Sequence, residues 1–258
     1  MKIADFHNDI LTSQNFHSIP PFYYENKIVT AIFRGERSFS EVFHLTKKSP
    51  LIAFEDVGYD DLDEDLLIEA KPVYVGLTWN GENCLGYGCD HCLGLKKKGV
   101  ELIKKLSKNK ICVDTAHVSK LGFIDIIENA DSVVNSHTCL SAVYRHKRNL
   151  ENWQVKMIIE KKGLIGITAC GYFMSNVKPC KIDGFIRNIS YFCEKFGVDN
   201  LCFGTDFYGT DFLPDGITNE YQGFDLIGEK LQKLGFSNME IEKIFYGNLS
   251  RFLSHRQI

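Results

Sequence analysis

Short apolar runs separated by stretches of helical period recur along the whole chain. Runs at 2–6, 28–33, 51–55, 72–78, 111–116, 132–136, 164–170 and 201–205 are brief and almost continuously apolar, the pattern of parallel strands covered on both faces. Between them, apolar positions repeat every three or four residues. Val100, Leu102, Ile103 and Leu106 stand among lysines between Leu95 and Lys108, and Phe185, Ile186, Ile189 and Phe192 do the same between Asp183 and Phe196. Such stripes predict helices laid over an inner sheet. Eight strand-then-helix repeats predict an α/β fold, a (β/α)8 TIM barrel forming a single domain over residues 1–258. An open doubly wound sheet, which usually has fewer strands, is the second choice.

A barrel changes the meaning of scattered polar residues, because the C-terminal ends of its strands open onto one face. His7 and Asp9 leave the first run, Glu55 ends the third, His117 follows the fifth, His137 the sixth and Asp206 the eighth. Zinc binds imidazole nitrogen and carboxylate oxygen, and three of each exceed what one ion needs. Glu55 could bridge two ions ~3.5 to 4 Å apart, the spacing of two-metal hydrolases. His7 and Asp9 are two apart, so in an extended segment they point to the same side. Singly, each residue has an ordinary structural reading, as a hydrogen-bonded histidine, a cap or a surface acid. Together at one mouth they predict a metal site and hydrolysis. Asp114, three residues before His117, is expected in the barrel wall, orienting a ligand histidine or satisfying backbone donors. His17, His44, His91, His146 and His255 lie away from strand ends and receive no role.

Composition narrows the alternatives. A chain of 258 residues, 44% hydrophobic, suits one barrel of this type. Thirty basic against thirty-three acidic residues leave a net charge of -3, too weak a field to gather nucleic acid or anionic lipid. No run approaches the ~20 apolar residues of a membrane span, and no basic-then-apolar leader opens the chain. Nine cysteines scattered through strands and helices suit reduced thiols and a cytoplasmic location. The spacing of Cys84, Cys89 and Cys92 resembles part of an iron–sulfur pattern, but no fourth cysteine is near and structural zinc sites usually show a second close pair. These are expected to be loop thiols. The acidic run Asp60 to Asp65 is expected near a helix N-terminus as a solvated face, and Lys96 to Lys98 on a helix surface.

The same residues carry a resemblance, over nearly the whole chain, to the membrane (renal) dipeptidase family of zinc peptidases among the amidohydrolase-like barrels. Asp5-Phe6-His7-Asn8-Asp9 resembles the family's Asp-x-His-x-Asp strand. Val113 to Ser119 and Ser136-His137-Thr138 resemble its two histidine motifs, with Arg148-Asn149 after the second. Phe54-Glu55-Asp56 resembles the bridging-carboxylate motif, and Gly204 to Gly209 is similar to the last-strand motif with its catalytic aspartate. The resemblance implies two Zn²⁺ per chain, one on His7, Asp9 and Glu55 and the other on Glu55, His117 and His137, with a bridging hydroxide attacking a small amide, foremost a dipeptide. Asp206 would carry the proton as base and then acid, and Arg148 would grip the substrate carboxylate. A small-molecule or dipeptide substrate is the expected partner, without nucleic acid or membrane, and a homodimer is allowed.

Trp79 departs from the family, standing where its classical members have a substrate-contacting histidine; indole neither titrates nor binds metal. Asp56-Val57 replaces a glycine pair, and the stretch from Asp9 to Glu55 is short. Trp79 and Asn80 are expected to line a reshaped pocket, with Asn83 lining it or forming a turn. A metal-dependent phosphoesterase and a catalytically inactive ligand-binding barrel stand as alternatives.

Overall fold

The computed structural model describes residues 2–14 and 16–256. Eight parallel strands close in sequence order into a barrel, as the alternating pattern predicts. They are β1 (Ala4–Asn8), β2 (Lys27–Phe33), β3 (Ile52–Glu55), β4 (Tyr74–Gly76), β5 (Cys112–Asp114), β6 (Val133–Thr138), β7 (Ile165–Ile167) and β8 (Leu201–Phe203). The helices are α1 (Pro21–Glu25), α2 (Phe39–Phe43), α3 (Glu64–Glu69), α4 (Lys97–Lys108), α5 (Lys120–Asn129), α6 (Asn152–Glu160), α7 (Asp183–Phe196), α8 (Phe224–Lys233), α9 (Asn238–Glu242) and α10 (Asn248–His255). Helix α7 spans the limits its apolar stripe predicts and ends at Gly197, whose φ of 80° no other residue type adopts as cheaply. Asp63 starts α3 by accepting from the backbone N–H groups of Asp65 and Leu66, so the acidic run does sit at a helix N-terminus.

Alternation along the strands splits the apolar residues into two groups. Ala4, Phe6, Val29, Ala53, Tyr74, Val134 and Cys202 pack with Leu249, Phe252 and Leu253 of α10, while Ile28, Ile32, Phe54, Val113, Ile165 and Phe203 pack with the surrounding helices. Phe203 is representative, with its ring 4.8 to 5.8 Å from those of Phe245, Phe224 and Phe185. Burial of this apolar surface is the main force closing the barrel.

The strand limits differ from the apolar runs in a way that serves the mouth of the barrel. β4, β5 and β7 stop after three residues, although their runs continue. β1 and β6 extend past theirs, through His7 and His137. Each of these two carries one extra residue: three steps from Asp5 to Asn8 face two from Ile28 to Thr30, and three from Asn135 to Thr138 face two from Ile165 to Ile167. Bulges of this kind re-aim side chains.

Candidate active site

The two bulges lie where Phe6-His7 and Ser136-His137 occur, and they let neighbouring side chains share the barrel interior. His137 Nδ1 is 2.8 Å from the Oγ of Ser136, the residue just before it. His117 and Asp206 follow β5 and β8 with left-handed backbone, φ 64° and 62°. Such conformations cost of order 1–3 kcal/mol each and persist only where the surroundings impose them. At Asp206 the surroundings are explicit. Its N–H donates to the His7 carbonyl at 3.0 Å, and the Asp9 N–H donates to the Phe207 carbonyl at 2.8 Å. Asp5 clamps the same seam by accepting from the Thr205 N–H (2.8 Å) and the Tyr221 hydroxyl (2.7 Å).

All six residues named for the metal and the proton converge. Glu55 lies between two histidines, its Oε2 3.2 Å from His7 Nε2 and its Oε1 3.1 Å from His117 Nε2. His7 Nε2 is also 3.1 Å from Asp9 Oδ2, and His117 Nε2 faces His137 Nε2 at 2.8 Å. Ligand atoms of His7, Glu55 and His137 lie within 4.8 Å of one another, as do those of His7, Asp9 and Asp206. Except for Asp206, which borders the open pocket, these residues are buried.

Hydrogen bonds behind the histidines fix which nitrogen faces the site. The Tyr74 hydroxyl gives its proton to the Phe6 carbonyl (3.0 Å), so it accepts from His7 Nδ1–H at 2.8 Å. Ser136 donates to Asp114, so its oxygen accepts from His137 Nδ1–H. Asn80 Oδ1 accepts from His117 Nδ1–H at 2.8 Å. In its neutral form each imidazole therefore directs an Nε2 lone pair inward. Two such lone pairs, those of His117 and His137, lie 2.8 Å apart with only the latter met by Arg148 Nη2, and with carboxylate oxygens and the unpartnered buried Asp9 Oδ1 beside them they repel unless a further cation sits among them. The donor set fits metal, and its imidazole–carboxylate chemistry suits zinc.

Charge states follow from this packing. Burial holds His117 and His137 well below the usual histidine pKa, with Arg148 and His7 adding to the effect. Burial also opposes charge on His7, but the oxygens of Tyr74, Asp9 and Glu55 outweigh it and raise its pKa well above normal. Burial raises Glu55, partly offset by His7. Burial, then the charge of Asp9, lifts Asp206 well above the ordinary carboxylate range, which suits a group that must take and return a proton near neutrality.

A recess of about 470 Å³ opens over this cluster, and Trp79, Asn80, Arg148 and Asp206 line it. Trp79 is half-exposed, its ring 5.6 Å from Phe33 and 6.0 Å from His117. Arg148 is buried, with Nη2 donating to His137 Nε2 at 2.8 Å. Asn83 does not line the recess. It closes a turn, accepting from the Leu85 and Gly86 N–H groups and donating to Asp56. Sequence reading missed His146, Cys170, Phe173 and Gly209, which also line the recess. His146 stacks on Phe173 at 4.8 Å, and its one signal was its place two residues before Arg148. Cys170 lies beside Asp206, and burial pushes its thiol up to about 12. Among the described residues Cys84, Cys89 and Cys92 are free thiols and belong to no group of metal-binding side chains.

The family model described as membrane dipeptidase (peptidase family M19) matches residues 70–257. A Klebsiella pneumoniae protein described as an uncharacterized protein in the pqqA 5′ region is 25% identical over 213 residues, 77% of this chain and 78% of that protein. A dipeptidase of Claviceps purpurea, tcpJ, is 24% identical over 163 residues, 62% of this chain and 38% of the relative. Among solved structures, a Rhodobacter sphaeroides metallopeptidase bound to a phosphinate mimic of the dipeptide L-Ala-D-Ala shares the fold, with TM-score 0.80, 18% identity and coverage of 98% of this chain and 99% of that one.

Proposed function

The chain belongs to the membrane dipeptidase family, peptidase family M19, which makes it a metal-dependent, dipeptidase-like hydrolase, and we propose that it cleaves dipeptides with two Zn²⁺ ions held by His7, Asp9, Glu55, His117 and His137. The observation that carries the reading is the placement of Glu55, one oxygen toward His7 and the other toward His117. A carboxylate so placed can serve two cations at once. His7 and Asp9 would complete one position, and His117 and His137 the other. When bound, such ions supply a nucleophilic oxygen near neutral pH and polarise the scissile carbonyl.

The remaining work falls to the chain's own side chains. Asp206 borders the recess beside Asp9, with a proton affinity raised by burial, and serves as proton acceptor and then donor to the departing amine. Arg148 now occupies the His137 lone pair. A cation taking that lone pair would leave the guanidinium to face the recess and pair with the substrate's terminal carboxylate. Trp79, with Phe33 and Phe173, forms apolar wall for the substrate side chains. Nine free cysteines support a cytoplasmic location as part of the same proposal.

The test combines metal content per chain, by plasma mass spectrometry on protein purified without chelator, with hydrolysis of L,L- and L,D-dipeptides, L-Ala-D-Ala included. About two zinc equivalents and turnover lost on chelation are expected. A chain that takes up two zinc ions but cleaves no dipeptide in the panel would overturn the substrate assignment. One that binds no metal would overturn the mechanism.

A further inference from the structure

Ser136 is buried and touches two of the site histidines with one oxygen atom. Its Oγ donates its single proton to Asp114 Oδ2 at 2.5 Å. Asp114 is anchored in turn, its Oδ1 accepting from the N–H groups of Ser136 (2.8 Å) and Ala116 (3.1 Å). With that proton committed, Oγ can only accept elsewhere. It accepts from His137 Nδ1–H at 2.8 Å and lies 3.3 Å from His7 Nδ1, whose N–H it shares with Tyr74. The two rings sit 3.9 Å apart, centre to centre. Among the described residues, no other side chain behind the site reaches more than one ligand histidine: Tyr74 serves His7 and Asn80 serves His117. The β6 bulge is what makes the arrangement available, since it turns Ser136 and His137 into the same space.

We propose that Ser136, locked by Asp114, is a positioning residue common to both metal positions, so that occupancy of both depends on a single hydroxyl. This rests on the two-ion reading above, in which His7 serves one ion and His137 the other. The device works through proton placement. As long as Asp114 takes the Ser136 proton, both imidazoles keep Nδ1–H turned toward oxygen and Nε2 free to bind.

Asp114→Asn isolates the effect, because it preserves shape and the Oδ1 acceptor for both backbone N–H groups but replaces the Oδ2 acceptor with an N–H₂ donor. The Ser136 proton must then turn toward histidine and drive the His137 proton onto Nε2. Zinc affinity at the His137 position, measured by competition against a chromophoric chelator, is expected to fall by roughly 10- to 100-fold in this variant, whereas Ser136→Ala, which takes the acceptor from both rings, is expected to lower affinity at both positions. Tyr74→Phe should weaken the position of His7 alone, and Asn80→Ala that of His117 alone. Circular dichroism and cooperative thermal unfolding of the metal-free variants report whether they fold. Ser136→Ala removes the shared acceptor while keeping the carboxylate, so it reads both positions even where Asp114→Asn fails to fold. Wild-type affinity in either folded variant, or a Ser136→Ala loss confined to one position, would overturn the shared role while leaving the two-ion reading intact. Wild-type protein that binds fewer than two ions would overturn both.

Discussion

Asp206→Asn tests the chemistry with the least disturbance of the fold. Asp206 occupies left-handed backbone, which Asn tolerates better than most residues, and its N–H and carbonyl bonds to His7 and Gly209 do not involve the side chain. The substitution also removes a carboxylate that lies against Asp9, so the folded state loses a repulsion. What it takes away is the ability to carry a proton. General acid–base catalysis contributes about 10²- to 10⁴-fold, or about 2.7 to 5.4 kcal/mol at about 1.36 kcal/mol per tenfold. Asp206 would act in both accepting and donating steps, so kcat should fall by about 10³-fold or more. Metal content measured on the same preparation should stay at two equivalents.

The pH profile supplies a second readout. Asp206 must be ionised to accept a proton, and burial with the charge of Asp9 raises its pKa, so activity is lost as pH falls through a value above the ordinary carboxylate range. Bound cations would lower that value from where it stands in the metal-free protein. The acid limb of kcat/KM belonging to Asp206 should disappear in the Asn variant. A rate within a few-fold of wild type, with both ions present, would refute the proton-carrier assignment. Loss of one ion would instead make Asp206 a ligand, a role its closeness to His7 and Asp9 permits.

Gly209→Ala would place a methyl group 2.3 Å from Asp206 Oδ1 and 2.4 Å from Asp9 Oδ2. Because displacements of about 1 Å at a reacting group can cost about 100-fold, kcat/KM should drop by that order with little change in Tm, and an unaltered rate would show that the carboxylates need no such close fit. Phe203→Ala removes a buried ring packed against Phe185, Phe224 and Phe245; urea titration should show a loss of about 3–5 kcal/mol, and a loss below about 1 kcal/mol would contradict its place in the core. Joint replacement of Cys89 and Cys92 by Ser should leave metal content unchanged, since neither belongs to a metal-binding group among the described residues; a missing equivalent would make that loop a metal site.

The barrel was legible because its rule is local. Parallel strands covered on both faces must be almost continuously apolar, helices over them must repeat every three to four residues, and both signatures are written into consecutive residues such as Leu51 to Phe54 and Asp183 to Phe196. The convergence of His7, Asp9, Glu55, His117, His137 and Asp206 was legible for the same reason, since each stands just beyond or at the end of such a run. Proton placement was not. That Tyr74, Ser136 and Asn80 stand behind the three histidines depends on two bulges, two left-handed residues and side chains up to 129 positions apart. Asn80 illustrates the difference: it lines the recess as expected, but only its 2.8 Å contact reveals that it also orients His117. Hydrogen bonds act over about 3 Å and demand direction, so their partners are chosen by the closed barrel, whereas hydrophobic burial is non-directional and can be specified by spacing along the chain alone.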